Sequence, residues 1–410
     1  MELSARHEAP SPAEWPNLRL DAAGLLRSGW RAHPFQQFIL KVASRCNLAC
    51  EYCYVYRSVD QSWQDQPIRM SRAVATRAAQ RIAEHIRAHD LTRVEVVLHG
   101  GEPLLAGPEL LAFVCTTLRS AIPDDVELGS YVQTNGTLLD RQVLDMFAEH
   151  DVRVGVSLDG KPADHDASRA SRNGRGSHAE VERGLALLRV PAYRHLFAGL
   201  LCVVEPARDP IATYEHLIEY EPPAIDLLLP HANWSTPPTR ATHASTPHGN
   251  WLIDIFDRWY DARVPETSVR LFEEIIRGLV GQASQVESIG LAPVRLVVVE
   301  TDGSIEQIDA LKTAYAGAAH TGLDVNDDSF DDALTLPQFM ARQIGKAALA
   351  ETCQRCDLVT VCGGGYYPHR YRQGAGFRNP SVYCGDLTAL ITHIATRVRN
   401  DVHRMQRIPA

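Results

Sequence analysis

Between Phe38 and Leu229 the chain alternates short apolar runs with amphipathic stretches, and this alternation restricts the fold more than any other feature. The runs Phe38–Ala43, Val94–His99, Leu128–Gln133, Arg153–Leu158, Leu196–Val204 and Ile225–Leu229 have the length and β-branched content of strands. Segments near 71–89, 107–119, 138–149, 178–189 and 211–220 carry the apolar period of helices. A helix between two strands returns the chain to the edge it started from, so the strands run parallel and are buried beneath the helices. Six such units predict an α/β fold, a partial (β/α)6 barrel, whose chemistry belongs on the loops at the C-terminal ends of the strands.

At 410 residues the chain is long enough for a large domain and a smaller one. The composition predicts an N-terminal extension over 1–35, the barrel over 36–230, a linker with bridging helices over 231–290, and a smaller domain over 291–400. Pro230–Asn250 is rich in Pro, Thr and His and reads as a long connection. Helices near 250–262 and 268–281 follow, then a hairpin from Val294 to Ile308 turning at Asp302-Gly303. The net charge of −9 gives no attraction for phosphate backbones, which disfavours nucleic acid. No apolar run approaches a membrane span and no secretion signal opens the chain, so the expected setting is cytoplasmic.

In that reducing setting nine cysteines point to metal where they cluster. Cys115 and Cys202 stand alone and read as core residues. Cys46, Cys50 and Cys53 lie within eight residues, directly after the first strand. A cubane iron–sulfur cluster takes four thiolates, so three leave one iron able to bind a small molecule. A structural zinc site would need a fourth ligand, a place His99 could fill. Cys353, Cys356, Cys362 and Cys384 offer a complete set of four, suited to an iron–sulfur cluster or to zinc.

The pattern Cys46-Asn-Leu-Ala-Cys50-Glu-Tyr52-Cys53 resembles the signature of radical S-adenosylmethionine (SAM) enzymes, whose open iron chelates the methionine part of the cofactor. Gly100-Gly101-Glu102-Pro103 after the second strand resembles that family's segment for the methionine ammonium. Thr134 and Asn135 after the third strand, and Ser157 and Asp159 after the fourth, match positions that contact cofactor or substrate. The resemblance implies that Ser157 touches the ribose, Arg169 the cofactor carboxylate and Tyr52 the adenine, and that the protein supplies aim and exclusion of water.

The second cysteine group resembles half of a SPASM (Twitch-like) domain, the iron–sulfur domain of peptide-modifying members, with Tyr366 where a further Cys usually stands. The hairpin Val298–Ile305 resembles the same domain, but Gln307, Ile308 and Asp309 occupy the place of its usual cysteines. One auxiliary [4Fe–4S] cluster on the four C-terminal cysteines is therefore expected, beside the radical SAM [4Fe–4S] cluster.

More widely, Phe35–Val42, Asp60-Gln61-Ser62-Trp63, Val96–Pro103, Glu300–Gln307 and Cys362-Gly363-Gly364-Gly365 resemble the FxsB-type maturases. Those enzymes build three-residue cyclophanes in ribosomally synthesised precursor peptides. The resemblance implies abstraction of a Cβ hydrogen and coupling to an aromatic carbon two positions upstream. It further implies an electron donor such as a flavodoxin or ferredoxin, and a general base for which Asp309, His231 and Glu306 are candidates. A thioether-forming maturase and a formylglycine-generating sulfatase maturase share these motifs, although the latter group more closely resembles the seven-cysteine arrangement. A noncatalytic metal-binding scaffold for peptides is the alternative of another class.

Overall fold

The structure, a computed structural model, describes residues 15–16, 19–238 and 245–406. Ten strands form one sheet: β1 (Gln37–Ala43), β2 (Arg93–Gly100), β3 (Glu127–Thr134), β4 (Val152–Ser157), β5 (Phe197–Val203), β6 (Ala224–Leu228), β7 (Ser268–Val269), β8 (Leu296–Val299), β9 (Ser304–Glu306) and β10 (His320–Asp324). Their order is β10-β9-β8-β1-β2-β3-β4-β5-β6-β7. From β1 to β7 every neighbouring pair is parallel, β8 joins the other side of β1 in parallel, and β9 and β10 complete an antiparallel edge.

The six expected strands are all present, each within two residues of its predicted bounds. Val94, Val96 and Leu98 alternate into the core along β2, while β1 buries Phe38, Leu40, Val42 and Ala43. Helix Arg72–Ala88 starts where Ser71 accepts the Val74 amide, and it lays Ala75, Ala78, Ala79, Ile82 and Ile86 against the sheet. Asp140 and Asp209 cap helices Arg141–Glu149 and Pro210–Ile218 in the same way, each satisfying an amide that the first turn leaves unpaired. Truncating a fully buried ring such as Phe38→Ala would cost about 3–5 kcal/mol.

The sheet does not pause where the sequence suggested boundaries. β7 lies inside the expected linker and pairs with β6, and β8 to β10 lie inside the expected smaller domain and extend the sheet past β1. The hairpin turns as expected, Gly303 donating to the Glu300 carbonyl at 3.1 Å with a φ of +109° that suits glycine. Six residues of the Pro230–Asn250 connection, 239–244, lie outside the described residues. Its first part packs inward: Asn233 is fully buried and donates to the Thr313 carbonyl, and Trp234 Nε1 donates to the Pro380 carbonyl. The described part of the N-terminal extension packs the same way, with Trp15 bridging Gly376 beneath the Arg378 guanidinium.

Candidate active site

The loop that leaves β1 carries Cys46, Cys50 and Cys53, all half-buried and unpaired by disulfides. It is fixed from several sides. Arg45 donates to Ser44 Oγ and to the Trp63 carbonyl at 2.7 Å each, with its guanidinium 5.1 Å over the Trp63 ring. Asp60 accepts the amides of Ser62 and Gly317, tying this loop to the chain after β9. The segment Asp60–Trp63 is thereby explained as a brace for the cysteine loop. The amide of Leu48 and the Asn135 side chain both donate to Cys46 Sγ, at 3.4 and 3.7 Å.

Burial pushes the Cys46 thiol up to about 12 and raises Cys50 and Cys53 as well, and Cys46 and Cys50 also feel the charge of neighbouring thiols. Thiolates in such a place require an adjacent positive centre. Among the described residues no three cysteine sulfurs lie within 4.8 Å of one another. A tetrahedral zinc ion would draw its sulfurs to about 3.8 Å apart. The three thiols therefore do not stand at the spacing of a closed zinc site. Among the described residues His99 forms no group at that spacing with the three cysteines, and burial pushes its ring down to about 4.

Gly100 and Gly101 let β2 end against this loop. A Cβ on Gly100 would stand 2.2 Å from the Ala43 carbonyl oxygen, and one on Gly101 would stand 1.8 Å from Tyr56 Oη. The Glu102 carboxylate is turned into the protein and is fully buried. It accepts the amides of Leu104 and Asn135 and the Thr134 hydroxyl at 2.7–3.0 Å, and Pro103 begins the short turn that it caps. Burial pushes this carboxyl up to about 7. Glu102 thus locks the ends of β2 and β3 together, and the surface left for an ammonium is main chain. Asn135 reaches from β3 to Asn47 in the cysteine loop at 2.9 Å, and Asn47 donates in turn to Thr137.

After β4, Asp159 collects Tyr52 Oη, Arg169 Nε and the Val203 amide. Burial works against its charge, but Arg169 and Tyr52 outweigh burial and hold Asp159 below the usual carboxylate range. The Arg169 guanidinium lies 5.3 Å from the Tyr52 ring, and among the described residues its two terminal nitrogens make no hydrogen bond. Tyr52 is therefore fixed by its hydroxyl as well as by its ring. Ser157 accepts from Gln133 at 3.1 Å. His165 supports the Asp159 turn by accepting its amide and contacting Ser177, a role no sequence motif announced.

The chain after β9 adds a second feature, a buried knot of charge. Lys41 Nζ lies 2.7 Å from Asp309 and 3.7 Å from Glu300, while Lys312 Nζ reaches Glu300, Asp309 and Glu306 at 2.6–3.1 Å. Burial opposes the charge on Asp309, but the two lysines overcome it and hold the carboxyl well below its ordinary range. Glu306 is raised by burial, an effect its ion pair with His320 partly offsets. Of the three proton-acceptor candidates, Asp309 and Glu306 thus share Lys312. His231 stands apart, its ring 4.7 Å from Tyr54, whose hydroxyl feels the Asp309 charge. Lys41 and Glu300 lie in segments that resemble the maturases, yet nothing in the sequence gives them a role there or distinguishes Lys312, because a charged residue inside a strand or turn carries no mark of its burial.

The C-terminal cysteines sit on short pieces. Cys353 belongs to the turn Glu351–Gln354, Cys362 ends the turn Val359–Cys362, and Cys384 opens helix Cys384–Gln406. Burial and the neighbouring thiols raise Cys353, Cys362 (to about 11) and Cys384, so the group converges. Gly363, Gly364 and Gly365 all have positive φ, and Arg370 donates to the carbonyls of Gly363 and Gly365. This turn brings Gly363 against the Gly290 carbonyl, where any Cβ on residue 363 would collide at 1.6 Å.

Residues 40–191 match the family described as the Radical SAM superfamily. The serine-type anaerobic sulfatase-maturating enzyme of Bacteroides thetaiotaomicron is 25% identical over 368 residues, covering 84% of this chain and 85% of that protein. The cysteine-type enzyme of Clostridium perfringens is 27% identical over 290 residues, covering 67% and 74%. The solved structure of native anSMEcpe with bound AdoMet superimposes with a TM-score of 0.76 at 20% identity, covering 90% of this chain and 99% of that one. Streptococcus suis SuiB bound to its precursor peptide SuiA superimposes at 0.56 with 13% identity, covering 90% and 80%. Residues 40–191 thus match the Radical SAM superfamily model, and the fold of the chain is the one seen in native anSMEcpe.

Proposed function

We propose that this chain oxidises a ribosomally synthesised peptide, removing a Cβ hydrogen and joining that carbon to an aromatic ring carbon two positions upstream. The observation that carries the reading is Asp309, buried yet kept ionised by Lys41 and Lys312. In this reading Cys46, Cys50 and Cys53 hold the cluster with an open iron, and Cys353, Cys356, Cys362 and Cys384 hold an auxiliary one. When bound, the first cluster and S-adenosylmethionine supply one-electron cleavage of the sulfonium and a carbon radical able to abstract hydrogen.

The chain's own residues do the rest. The main chain at Gly100 and Gly101, with Thr134 and Asn135, frames the methionine end. Ser157 would contact the ribose, and the terminal nitrogens of Arg169, oriented by Asp159 and Tyr52, would bind the cofactor carboxylate. Asp309 takes the ring proton at Oδ1. A strongly held carboxylate is a weak base, but a ring that rearomatises on losing the proton is a strong acid, so the match suffices. A cluster held by Cys353, Cys356, Cys362 and Cys384 would supply an acceptor for the accompanying electron, and a flavodoxin or ferredoxin would serve as the external electron donor.

The matched relatives favour a second reading, formylglycine formation in a sulfatase. Against it stand Gln307 and Ile308, which occupy the place of the cysteines that a seven-cysteine enzyme carries, whereas a carboxylate base such as Asp309 would serve either reaction. Anaerobic coexpression with short peptides carrying aromatic residues, followed by tandem mass spectrometry, separates the two. A crosslink loses two hydrogens and blocks fragmentation between the joined residues, whereas formylglycine yields an aldehyde that reacts with a hydrazide. Release of no 5′-deoxyadenosine after reduction would sink both and leave the binding scaffold.

A further inference from the structure

Four rings gather where the first cysteine loop, the end of β6 and the C-terminal cysteine region meet. Tyr54 directly follows Cys53, His231 follows β6, and Tyr366 and His369 lie between Cys362 and Cys384. The His231 ring lies 4.7 Å from Tyr54, 6.1 Å from Tyr366 and 6.0 Å from His369, and Tyr366 meets His369 edge-on at 5.4 Å. His369 is 3% exposed, yet among the described residues neither of its ring nitrogens has a hydrogen-bond partner, and His231 Nδ1 is likewise buried and unpartnered there. Nothing in the proton and electron steps above employs them.

A buried polar nitrogen left unpaired costs about 1–3 kcal/mol, so three in one cluster mark a place built to be completed by a ligand. Burial keeps both imidazoles neutral, and a neutral imidazole offers one N–H donor and one lone pair. The matching ligand group is uncharged and carries both a donor and an acceptor. A carboxylate or ammonium would meet no counter-charge from these rings, and the nearby Arg370 guanidinium is already spent on the Gly363 and Gly365 carbonyls. An apolar side chain would leave the nitrogens as they are. A main-chain peptide unit satisfies both requirements.

We propose that His369 and His231 bind a main-chain amide of the peptide substrate beside the residue that reacts, holding it between the two cysteine groups. This rests on the peptide reading above and assigns the imidazoles to binding and positioning.

The test uses the anaerobically reconstituted holoenzyme with a pool of short synthetic peptides, each carrying an aromatic residue two positions ahead of an aliphatic one. His369→Phe keeps the ring's bulk and removes both nitrogens; it should raise the peptide KM about tenfold or more, against a smaller change in kcat. His369→Gln, which offers a donor and an acceptor, should recover most of the loss. Methylating the main-chain nitrogen next to the reacting residue should weaken use by the wild-type enzyme by a similar factor, with little further effect in His369→Phe. An unchanged KM in His369→Phe overturns the proposal. So does a loss that follows iron content and melting temperature and is not rescued by Gln, which marks a structural ring. If N-methylation is tolerated at every position while removal of a side-chain amide is not, the main-chain assignment is wrong. If the wild-type enzyme itself modifies no peptide, the peptide reading has failed and takes this proposal with it.

Discussion

The two cysteine regions solve the same problem of gathering thiols with different means. The N-terminal group sits on one loop, clamped by parallel strand ends through Glu102, Asn135 and Arg45. The C-terminal group is collected from short turns and the start of a long helix, with Cys356 and Cys384 exposed. One loop can offer three thiols in a rigid frame and leave a position open, while separate turns can close all four positions. The contrast is between a site shaped for a ligand and one shaped to be complete.

The sharpest break of this contrast comes from single cysteines. Cys50→Ala should reduce 5′-deoxyadenosine below detection, whereas Cys356→Ala should keep its formation while losing iron and crosslinked product. Chromatography of the quenched reaction reads both, and equal loss in the two variants would erase the distinction. Next in size is the knot that joins the regions. Lys312→Met leaves Glu300, Glu306 and Asp309 with less cation, and unfolding in urea should show a loss of about 3–5 kcal/mol.

A third effect concerns acid. Burial pushes His85 and His231 down to about 4 and His165 to about 3. The unfolded chain takes up these protons near pH 6.5 and the folded chain refuses them, so their stabilisation is complete above pH 6.5. It is lost as pH falls toward 4, by up to about 3 kcal/mol for each ring. Urea unfolding across that range should show the decline, and His231→Phe should make it shallower. Because one hydrophobic core takes in both regions, from Phe38 to Ile394, a single transition is expected, and two would show that they are independent. The smallest effect is Asn135→Ala, which removes the tether to Cys46 and Asn47 and should weaken S-adenosylmethionine binding about fivefold in equilibrium titration.

The strands and their helices were readable because each apolar period reflects one face that must be buried, and these elements form as expected. The motif glycines were readable for a similar reason: only a residue without Cβ lets β2 end against the Tyr56 hydroxyl and the Arg45 carbonyl. Side-chain direction was not readable. Glu102 sits in a segment that resembles an ammonium-binding motif, but its carboxylate is consumed by Thr134 and two amides. Asp60 and Trp63 stood out without a reason until their contacts with Gly317 and Arg45 supplied one.

By itself the sequence determined the alternation of strand and helix, the two groups of cysteines and the order of the loop motifs, since these depend on spacing along the chain. Only the tertiary structure decided that β8 docks on β1, that Lys41 and Lys312 enclose Asp309, and that His231 meets His369. Each of those joins residues more than a hundred positions apart or fixes the aim of a buried polar group. Long-range pairing and burial of charge are set by the whole packed core, and no local pattern encodes them.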